Sequence, residues 1–334
     1  MTNVVYFFGN GSSCFSVADG STTSMWINTN TNHFRSTWVP CSVGITNSPL
    51  GAMMGGMTPA LPLSNDFWVH SYLWATVAND ARPYLGLFDA AGVLRLYLMA
   101  TSGTTSGLYT RNAAGVSTPL GYFTLGGNTL NSLDLHVNYA AAGRITLYGN
   151  GGAVLIDYIG DVTTDGVTSL SKIGWQDGPN NGFEWSEFLV QSGDTRNAGV
   201  LAIPITGAGA VNTCDAGTYA SVNSVGRDDT NFLQSLSVGE TFLGTTGPVI
   251  PAGTWSVAGV AHAIRAAAGT GGGPQHVAPV KRIGGTNYTG SAISLGPILD
   301  NHLVLTSINP ATTGPFSVSD ITGGNLQIGI VTSA

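Results

Sequence analysis

The strongest candidate for acid–base chemistry is a pair of glutamates, Glu184 and Glu187, in the stretch FEWSEF. Hydrolysis of a glycosidic bond needs two carboxyl groups that face one cleft, about 5 to 9.5 Å apart. On a regular strand, side chains three residues apart point to opposite faces of the sheet. The spacing therefore predicts that this pair forms no hydrolase site, with one glutamate exposed and one partly buried on an edge strand. We predict no catalytic residue and no enzyme activity.

Acidic residues also recur in two stretches that could supply oxygen ligands for calcium. Asp157, Asp161 and Asp165 are four residues apart in DYIGDVTTD, and GRDDTN at residues 226–231 contains two aspartates and an asparagine. Neither stretch has the spacing of an EF-hand loop. Asp and Asn in the connections of a β protein more often form turns. We therefore predict turn-forming roles and no metal site.

The other reactive side chains follow no catalytic motif. The six histidines lack HxxxH or HExxH spacing, and His70 and His136 are expected to be structural residues of strands. The stretch GTGGGP lacks the Lys-Ser/Thr of a phosphate-binding loop. Three cysteines without CxxC spacing indicate neither a zinc site nor a disulfide framework, and a bridge between Cys14 and Cys41 stays an alternative. The sequence predicts no cofactor.

Aromatic side chains provide candidates for binding a glycan. Sugar rings bind to aromatic platforms beside polar side chains, and the candidates are Trp68, Tyr72, Trp74, Trp175 and Trp185. The alternative role for these rings is packing in the core of a sandwich, and it is the commoner one because aromatic residues dominate such cores. Spacing alone does not decide between the two roles.

The elements that would position these residues are strands. Apolar and polar residues alternate in LDLHVNY, residues 133–139, which indicates a strand with one wet face. In FWVHSYLWATV, residues 67–77, both faces are apolar or aromatic, so both are expected to be covered. Asn150-Gly151 supplies the two positive-φ positions of a tight hairpin, and residues 89–92 form the turn of another. Because helical periodicity is nearly absent, we predict an all-β chain built as a sandwich or jelly roll.

Composition excludes several classes of partner. Only 9% of the 334 residues are charged, and the net charge of −7 provides no basic stripe for phosphates. We therefore expect no binding to nucleic acid. The first residues lack the pattern of a signal peptide and no run of about 18 apolar residues occurs, so we expect neither export nor membrane insertion. A charge-poor surface of this kind would reach the cell exterior as part of a particle that lysis releases.

Two parts of the sequence resemble known families. The hairpin LHVNYAAAGRITLYGNGGAVLIDYIGD, followed by a strand with the triplet SEF at Ser186 to Phe188, resembles the closing half of a concanavalin A-like (laminin G-like) domain. The stretch from Arg282 to Tyr288, RIGGTNY, and the stretch from Asn309 to Ile330, which begins NPATTGPF, resemble the C-terminal module of tailed-bacteriophage virion proteins.

The resemblance implies an all-β fold with a concanavalin A-like jelly-roll sandwich and a second β-sandwich-like domain. We expect an N-terminal β/loop segment at residues 1–60 that belongs to the first sandwich. The concanavalin A-like sandwich would span residues 61–195, and a C-terminal β domain would span residues 196–334.

The function implied by the resemblance is that of a structural virion protein of a tailed bacteriophage. The chain would be a tail fibre, spike or baseplate component that contacts host-surface glycan. One alternative is a capsid decoration or cement protein without a ligand, and a third is a glycan-depolymerising enzyme. The expected location is the virion. Other virion proteins, further copies of this chain in a homo-oligomer and a host-surface polysaccharide are the expected partners.

Overall fold

The computed structural model divides the chain into two compact units, Met1–Val200 and Leu201–Ala334. The residues it describes are 4–10, 25–45, 56–76, 83–176, 183–223, 230–269, 272–322 and 324–334. Cys14 and the two aspartates of the GRDDTN stretch lie outside this part of the chain. Among the described residues, no helix is long and apolar enough to cross a bilayer.

The first unit contains fourteen strands in two antiparallel sheets. In chain order they are β1 (Val5–Gly9), β2 (Met25–Asn28), β3 (Ser42–Ile45), β4 (Gly56–Met57), β5 (Asp66–Ala75), β6 (Pro83–Phe88), β7 (Leu94–Ser102), β8 (Thr105–Arg111), β9 (Ser117–Thr124), β10 (Thr129–Asn138), β11 (Gly143–Gly149), β12 (Ala153–Gly160), β13 (Lys172–Trp175) and β14 (Phe183–Gln191). The eight-stranded sheet has the order β12-β11-β10-β5-β14-β3-β2, with β1 also paired to β14. The six-stranded sheet has the order β4-β13-β6-β7-β8-β9.

The core of this unit lies between the two sheets. Tyr84 of the six-stranded sheet packs against Phe183 of the eight-stranded sheet, with ring centroids 4.8 Å apart. The indole nitrogen of Trp175 donates to Ser71 Oγ across the same layer, at 3.3 Å. Burial of such large aromatic side chains is the main source of stability in a β-sandwich. The prediction of an all-β jelly-roll fold is confirmed.

The hairpins form where the turn residues predicted them. Asn150 and Gly151 have φ values of 36° and 86°, and they join β11 to β12. In the second hairpin, Gly92 N donates to Asp89 O at 3.0 Å in the turn between β6 and β7. Glycine and asparagine adopt these left-handed conformations with the least strain.

Among the strands with register shifts, β14 has the one that bears on the glutamate pair. On β14, Ser186 is opposite Tyr72 of β5, but the next paired residue, Leu189, is opposite His70. Two residues of β14 therefore face one residue of β5, which is a β-bulge. The first of the two, Glu187, has a φ of 55°. The bulge shifts the side chains that follow it relative to a regular strand.

The described part of the second unit contains eight strands, one turn of α-helix and a 3-10 turn at Tyr219–Ser221. They are β15 (Ile205–Asn212), β16 (Thr241–Thr246), β17 (Val260–Ala266), β18 (His276–Ile283), β19 (Thr286–Thr289), β20 (Ile293–Ser294), β21 (Asp300–Thr306), α1 (Val318–Ile321) and β22 (Leu326–Ser333). A six-stranded sheet has the order β15-β16-β22-β18-β19, with β20 on β18, and β17 pairs with β21 separately. The strand β22 is thus central in its sheet.

The core of the second unit contains two basic side chains. Apolar residues such as Val260, Ile283 and Phe316 form this core. Lys281 is only 5% exposed, and its Nζ donates to Thr306 Oγ1 at 2.8 Å. Burial lowers the pKa of Lys281 to about 8. His262 is buried as well, and burial, with a smaller contribution from the charge of Lys281, lowers the pKa of His262 to about 3.

We expect the second unit to lose stability in acid through His262. Its pKa is about 3 in the fold and 6.5 in the reference state, so the unfolded chain binds the proton first as the pH falls between these values. Stability is therefore kept above pH 6.5 and lost progressively toward pH 3. In the variant His262→Phe, calorimetric unfolding of the second unit should depend less on pH between 7 and 4 than in the wild type. An identical pH dependence in both proteins would contradict this assignment.

Candidate functional site

The structure separates the five predicted aromatic candidates into two groups. Trp175 and Trp185 are fully buried in the sandwich core and present no surface to a ligand. Trp68, Tyr72 and Trp74 alternate along β5 and share the other side of the eight-stranded sheet. Tyr72 and Trp74 are half-buried, and Trp68 is 8% exposed. Their role in ligand binding stays a prediction, and only these three are placed outside the core.

The side of the sheet that carries these rings is lined by polar residues. Cross-strand partners share a face, so it also contains the residues opposite β5 on the strands β10 and β14. The polar partners are His136, Asp134, Ser132, Glu184, Ser186 and Gln191, and the apolar ones are Leu130 and Leu189. We call this side of the eight-stranded sheet the polar face. It extends across β11 to Thr146, Tyr148 and Asp157.

The bulge adds the carboxylate of Glu187 to the polar face. The side chain of Glu187 bonds to Arg35, whose guanidinium lies 4.4 Å from the ring centroid of Tyr72. Both glutamates are buried, with exposures of 5% for Glu184 and 0% for Glu187, on a strand flanked on both sides. The prediction that they lie on opposite faces of an edge strand is wrong. It assumed regular strand geometry, and the bulge at Glu187 breaks that geometry.

Residues 29–39, the first covering segment, lie over one half of the polar face. The ring of His33 stacks on Trp74 with centroids 4.1 Å apart and an interplanar angle of 8°. His33 Nδ1 is 2.9 Å from Glu184 Oε2. Ser42 Oγ donates to the same oxygen at 2.6 Å. This segment therefore places the imidazole of His33 against both the ring of Trp74 and the buried carboxylate of Glu184.

Arg35 makes the second link between this segment and the sheet. Its guanidinium lies between the rings of Trp38, at 4.3 Å, and Tyr72. The Nε donates to Glu187 Oε1 at 2.7 Å, and Nη2 donates to Oε2. Burial alone would lower the pKa of Arg35, but the hydrogen bond and the charge of Glu187 raise it. Val200 N also donates to Glu187 Oε2, at 3.2 Å.

Residues 192–200, the second covering segment, lie over the middle of the polar face. Thr195 Oγ1 donates to Asp134 Oδ1 at 2.7 Å, and His70 Nδ1 is 2.8 Å from the same oxygen. As a result Asp134 is only 3% exposed. The prediction of a wet face for residues 133–139 is wrong at this position, because a segment distant in sequence covers it.

Arg196 of the second covering segment lies on two aromatic rings. Its guanidinium is 4.5 Å from the ring centroid of Tyr148 and 5.6 Å from that of Trp68. Asp194 binds the same guanidinium through both carboxylate oxygens, and the shortest contact is 2.5 Å. His136 stacks on Trp68 at 4.4 Å. The rings of the polar face are therefore stacked with each other and with cations.

The polar face reaches solvent at one end, which we call the open end. His136 Nε2 is 2.7 Å from Asp66 Oδ1, and Arg144 binds both oxygens of Asp157 at 2.7 and 2.8 Å. The side chains of Asp66, Arg144 and Arg196 are 60%, 52% and 38% exposed. Tyr148 is half-buried beside them. The open end combines an aromatic ring with charged groups held in fixed positions.

The aspartates of DYIGDVTTD, for which we predicted turn-forming roles and no metal site, bind protein groups. Asp157 pairs with Arg144, Asp161 accepts from Thr163 N and Oγ1, and Asp165 accepts from Arg95 and Ala113 N. Hydrogen bonds lower the pKa of all three carboxyls, and the strongest come from Arg144 to Asp157, from the Thr163 hydroxyl to Asp161 and from Ala113 N to Asp165. In the described ranges no group of three or more His, Cys, Asp or Glu residues could hold a metal ion.

Comparisons with known proteins give likenesses of fold. No family model and no curated protein matches the sequence. Among solved structures, an endo-β-1,4-glucuronan lyase from the fungus Trichoderma reesei has a TM-score of 0.40 and 10% identity, covering 57% of this chain and 96% of the lyase. Domain 4 of AbnA, a GH43 arabinanase of Geobacillus stearothermophilus, in complex with arabinotriose, has a TM-score of 0.36 and 15% identity, covering 56% and 84%. A carbohydrate esterase of bacteriophage phi24B has a TM-score of 0.32 and 12% identity, covering 55% and 99%.

The prediction that the chain is not an enzyme is contradicted. A glucuronan lyase and a domain of an arabinanase are among the structures with a likeness of fold, so an enzyme is not excluded. That prediction also assumed that Glu184 and Glu187 point to opposite faces of the sheet. In the structure both lie on the polar face. In this structure both carboxylates are buried under the first covering segment and bind its side chains.

We expect the buried ion pair between Arg35 and Glu187 to hold the first covering segment on the sheet and to stabilise the fold. Removing one partner of a buried pair costs about 3 to 5 kcal/mol, and because Arg35 is a quarter exposed we expect about 3 kcal/mol for Glu187→Gln. The matched control is Asp157→Asn, which breaks the exposed pair with Arg144 and should cost much less, because solvent screens that pair. Denaturant unfolding of the full chain measures both. Equal costs would contradict the structural role of the buried pair.

Proposed function

We propose that this chain is a virion protein of a tailed bacteriophage whose first unit binds a host-surface glycan at the open end of the polar face. The observation that carries the proposal is the cluster of Tyr148, Trp68, His136 and Arg196, in which stacked rings and hydrogen-bonding groups meet at the surface. A glycan offers apolar C–H faces and many hydroxyl groups, and such a cluster complements both.

The fixed geometry of the cluster supports a binding role. The rings of Trp68 and Tyr148 are stacked at 5.6 Å, and Arg196 is held by both of them and by Asp194. Side chains that are already ordered lose little conformational entropy when a ligand binds. Because one shallow site of this kind binds weakly, several copies on one particle would supply the avidity needed for adsorption.

Two features of the sequence support the virion role. The resemblance of residues 282–288 and 309–330 to a phage C-terminal module supports it, as does a chain in which only 9% of the residues are charged. Under this proposal the partners are other virion proteins, further copies of the chain and the host polysaccharide.

A glycan-cleaving enzyme is the second candidate function. The specific observation is that the bulge places Glu187 on the same face as Glu184, with His33 and Tyr72 beside them. Carboxylates that share a face are the arrangement needed for acid–base attack on a glycosidic bond. For either to reach a substrate, the first covering segment would have to move.

The binding proposal is tested by a pair of tyrosine variants. Tyr148→Ala removes the ring on which Arg196 lies, and we expect it to weaken binding to bacterial surface polysaccharides on a glycan array at least tenfold, about 1.4 kcal/mol. The control is Tyr122→Ala, which removes a tyrosine that is 57% exposed on the six-stranded sheet, and it should leave binding unchanged.

Three other results would revise the proposal. Equal losses in the two tyrosine variants would place the site elsewhere, and absence of binding to every glycan would remove the adhesive role. Release of shortened glycan that stops in Glu187→Gln but continues in Tyr122→Ala would favour the enzyme.

A further inference from the structure

The polar face pairs its positive and imidazole groups with carboxylates. All six arginines and histidines that the structure describes on this face have an acidic partner within 2.9 Å. The pairs are His33–Glu184, Arg35–Glu187, His70–Asp134, His136–Asp66, Arg144–Asp157 and Arg196–Asp194. A ligand at this face therefore meets positive groups whose charge is already compensated.

The two exposed arginines are paired through the positions that would bind an anionic ligand. Arg144 donates through Nε and Nη2 to the two oxygens of Asp157, at 2.7 and 2.8 Å. Arg196 donates in the same way to Asp194, at 3.0 and 2.5 Å. This two-point arrangement is the strongest that a guanidinium makes with a carboxylate. A ligand carboxylate would have to displace the aspartate and leave that aspartate without its partner.

The charges of the polar face also disfavour an anionic ligand. Three guanidinium groups and three imidazoles stand beside six carboxylates, so no positive group that the structure describes on this face lacks a carboxylate partner. Hydrogen bonds from Arg144 and Arg196 lower the pKa of Asp157 and Asp194, so these two exposed carboxyls are ionised at neutral pH. Like charges at a binding surface reject a wrong partner more than they weaken the right one.

We infer that the glycan bound at the open end is uncharged, made of sugars without carboxylate, sulfate or phosphate groups. Neighbouring hydroxyls of a neutral sugar can donate to the outer lone pairs of Asp157, Asp194 and Asp66 and accept from the remaining guanidinium hydrogens. They do so without breaking the ion pairs. The inference rests on the proposed function, since it concerns the ligand class of the same site.

The test compares one glycan in two charge states. The full chain is first screened on an array of neutral and acidic glycans, and a neutral glycan that binds is then oxidised at its primary hydroxyls to the uronate form. The linkages stay the same and only the carboxylates are new. We expect the oxidised form to bind at least tenfold more weakly. Equal or tighter binding of the oxidised form, or an array with acidic glycans alone, would overturn the inference and leave glycan binding intact.

A variant tests whether the pairing causes this selectivity. Asp194→Asn removes the charge that compensates Arg196, and the ratio of oxidised to neutral affinity should rise at least fivefold. Asp215→Asn removes an exposed aspartate of the second unit and so changes the net charge equally, and its ratio should equal that of the wild type. An unchanged ratio in Asp194→Asn, or an equal rise in both variants, would contradict the pairing mechanism. If no glycan of either charge binds, the proposed function fails and the inference fails with it.

Discussion

The ion pair between Arg35 and Glu187 connects the parts of the first unit that the sheets alone do not hold together. Because β14 has one extra residue, Glu187 adopts a left-handed conformation and its carboxylate lies on the polar face. The guanidinium of Arg35 binds this carboxylate and lies between the rings of Trp38 and Tyr72. The backbone of Val200 binds the same carboxylate. The buried carboxylate of Glu187 thus connects the eight-stranded sheet to both covering segments.

This arrangement explains how a polar surface can be buried in a β-sandwich. An ionised group in the interior is strongly unfavourable unless a partner compensates it. On the covered half of the polar face the carboxylates of Glu184, Glu187 and Asp134 all receive such partners from the covering segments. At the open end, ion pairs such as Arg144–Asp157 are exposed to solvent. The charges that the structure describes on the polar face are therefore paired throughout, and only their exposure to solvent differs from one end to the other.

The strands were predictable from the sequence and the assembled site was not. Alternation of apolar residues and the Asn150-Gly151 turn depend on local preferences, which a single sequence contains. The bulge at Glu187 depends on how β14 registers against β5, and nothing in FEWSEF indicates it. The residues that complete the site, His33 and Arg35, come from a region without periodicity, more than a hundred residues from their partners. The stretch HFRSTW at residues 33–38 places a histidine, an arginine and a tryptophan close together. Their role becomes evident only where they contact Trp74 and Tyr72.

The position of β14 and β22 has a consequence for synthesis on the ribosome. Each strand is the last of its unit in chain order, yet each lies inside its sheet, β14 between β5 and β3 and β22 between β16 and β18. Neither sheet can close until its last strand has left the exit tunnel. Nascent chains that stop short of residue 326 would expose two unpaired strand edges in the second unit, and chaperones or proteases could recognise them. The topology therefore makes folding of the second unit depend on translation past this point.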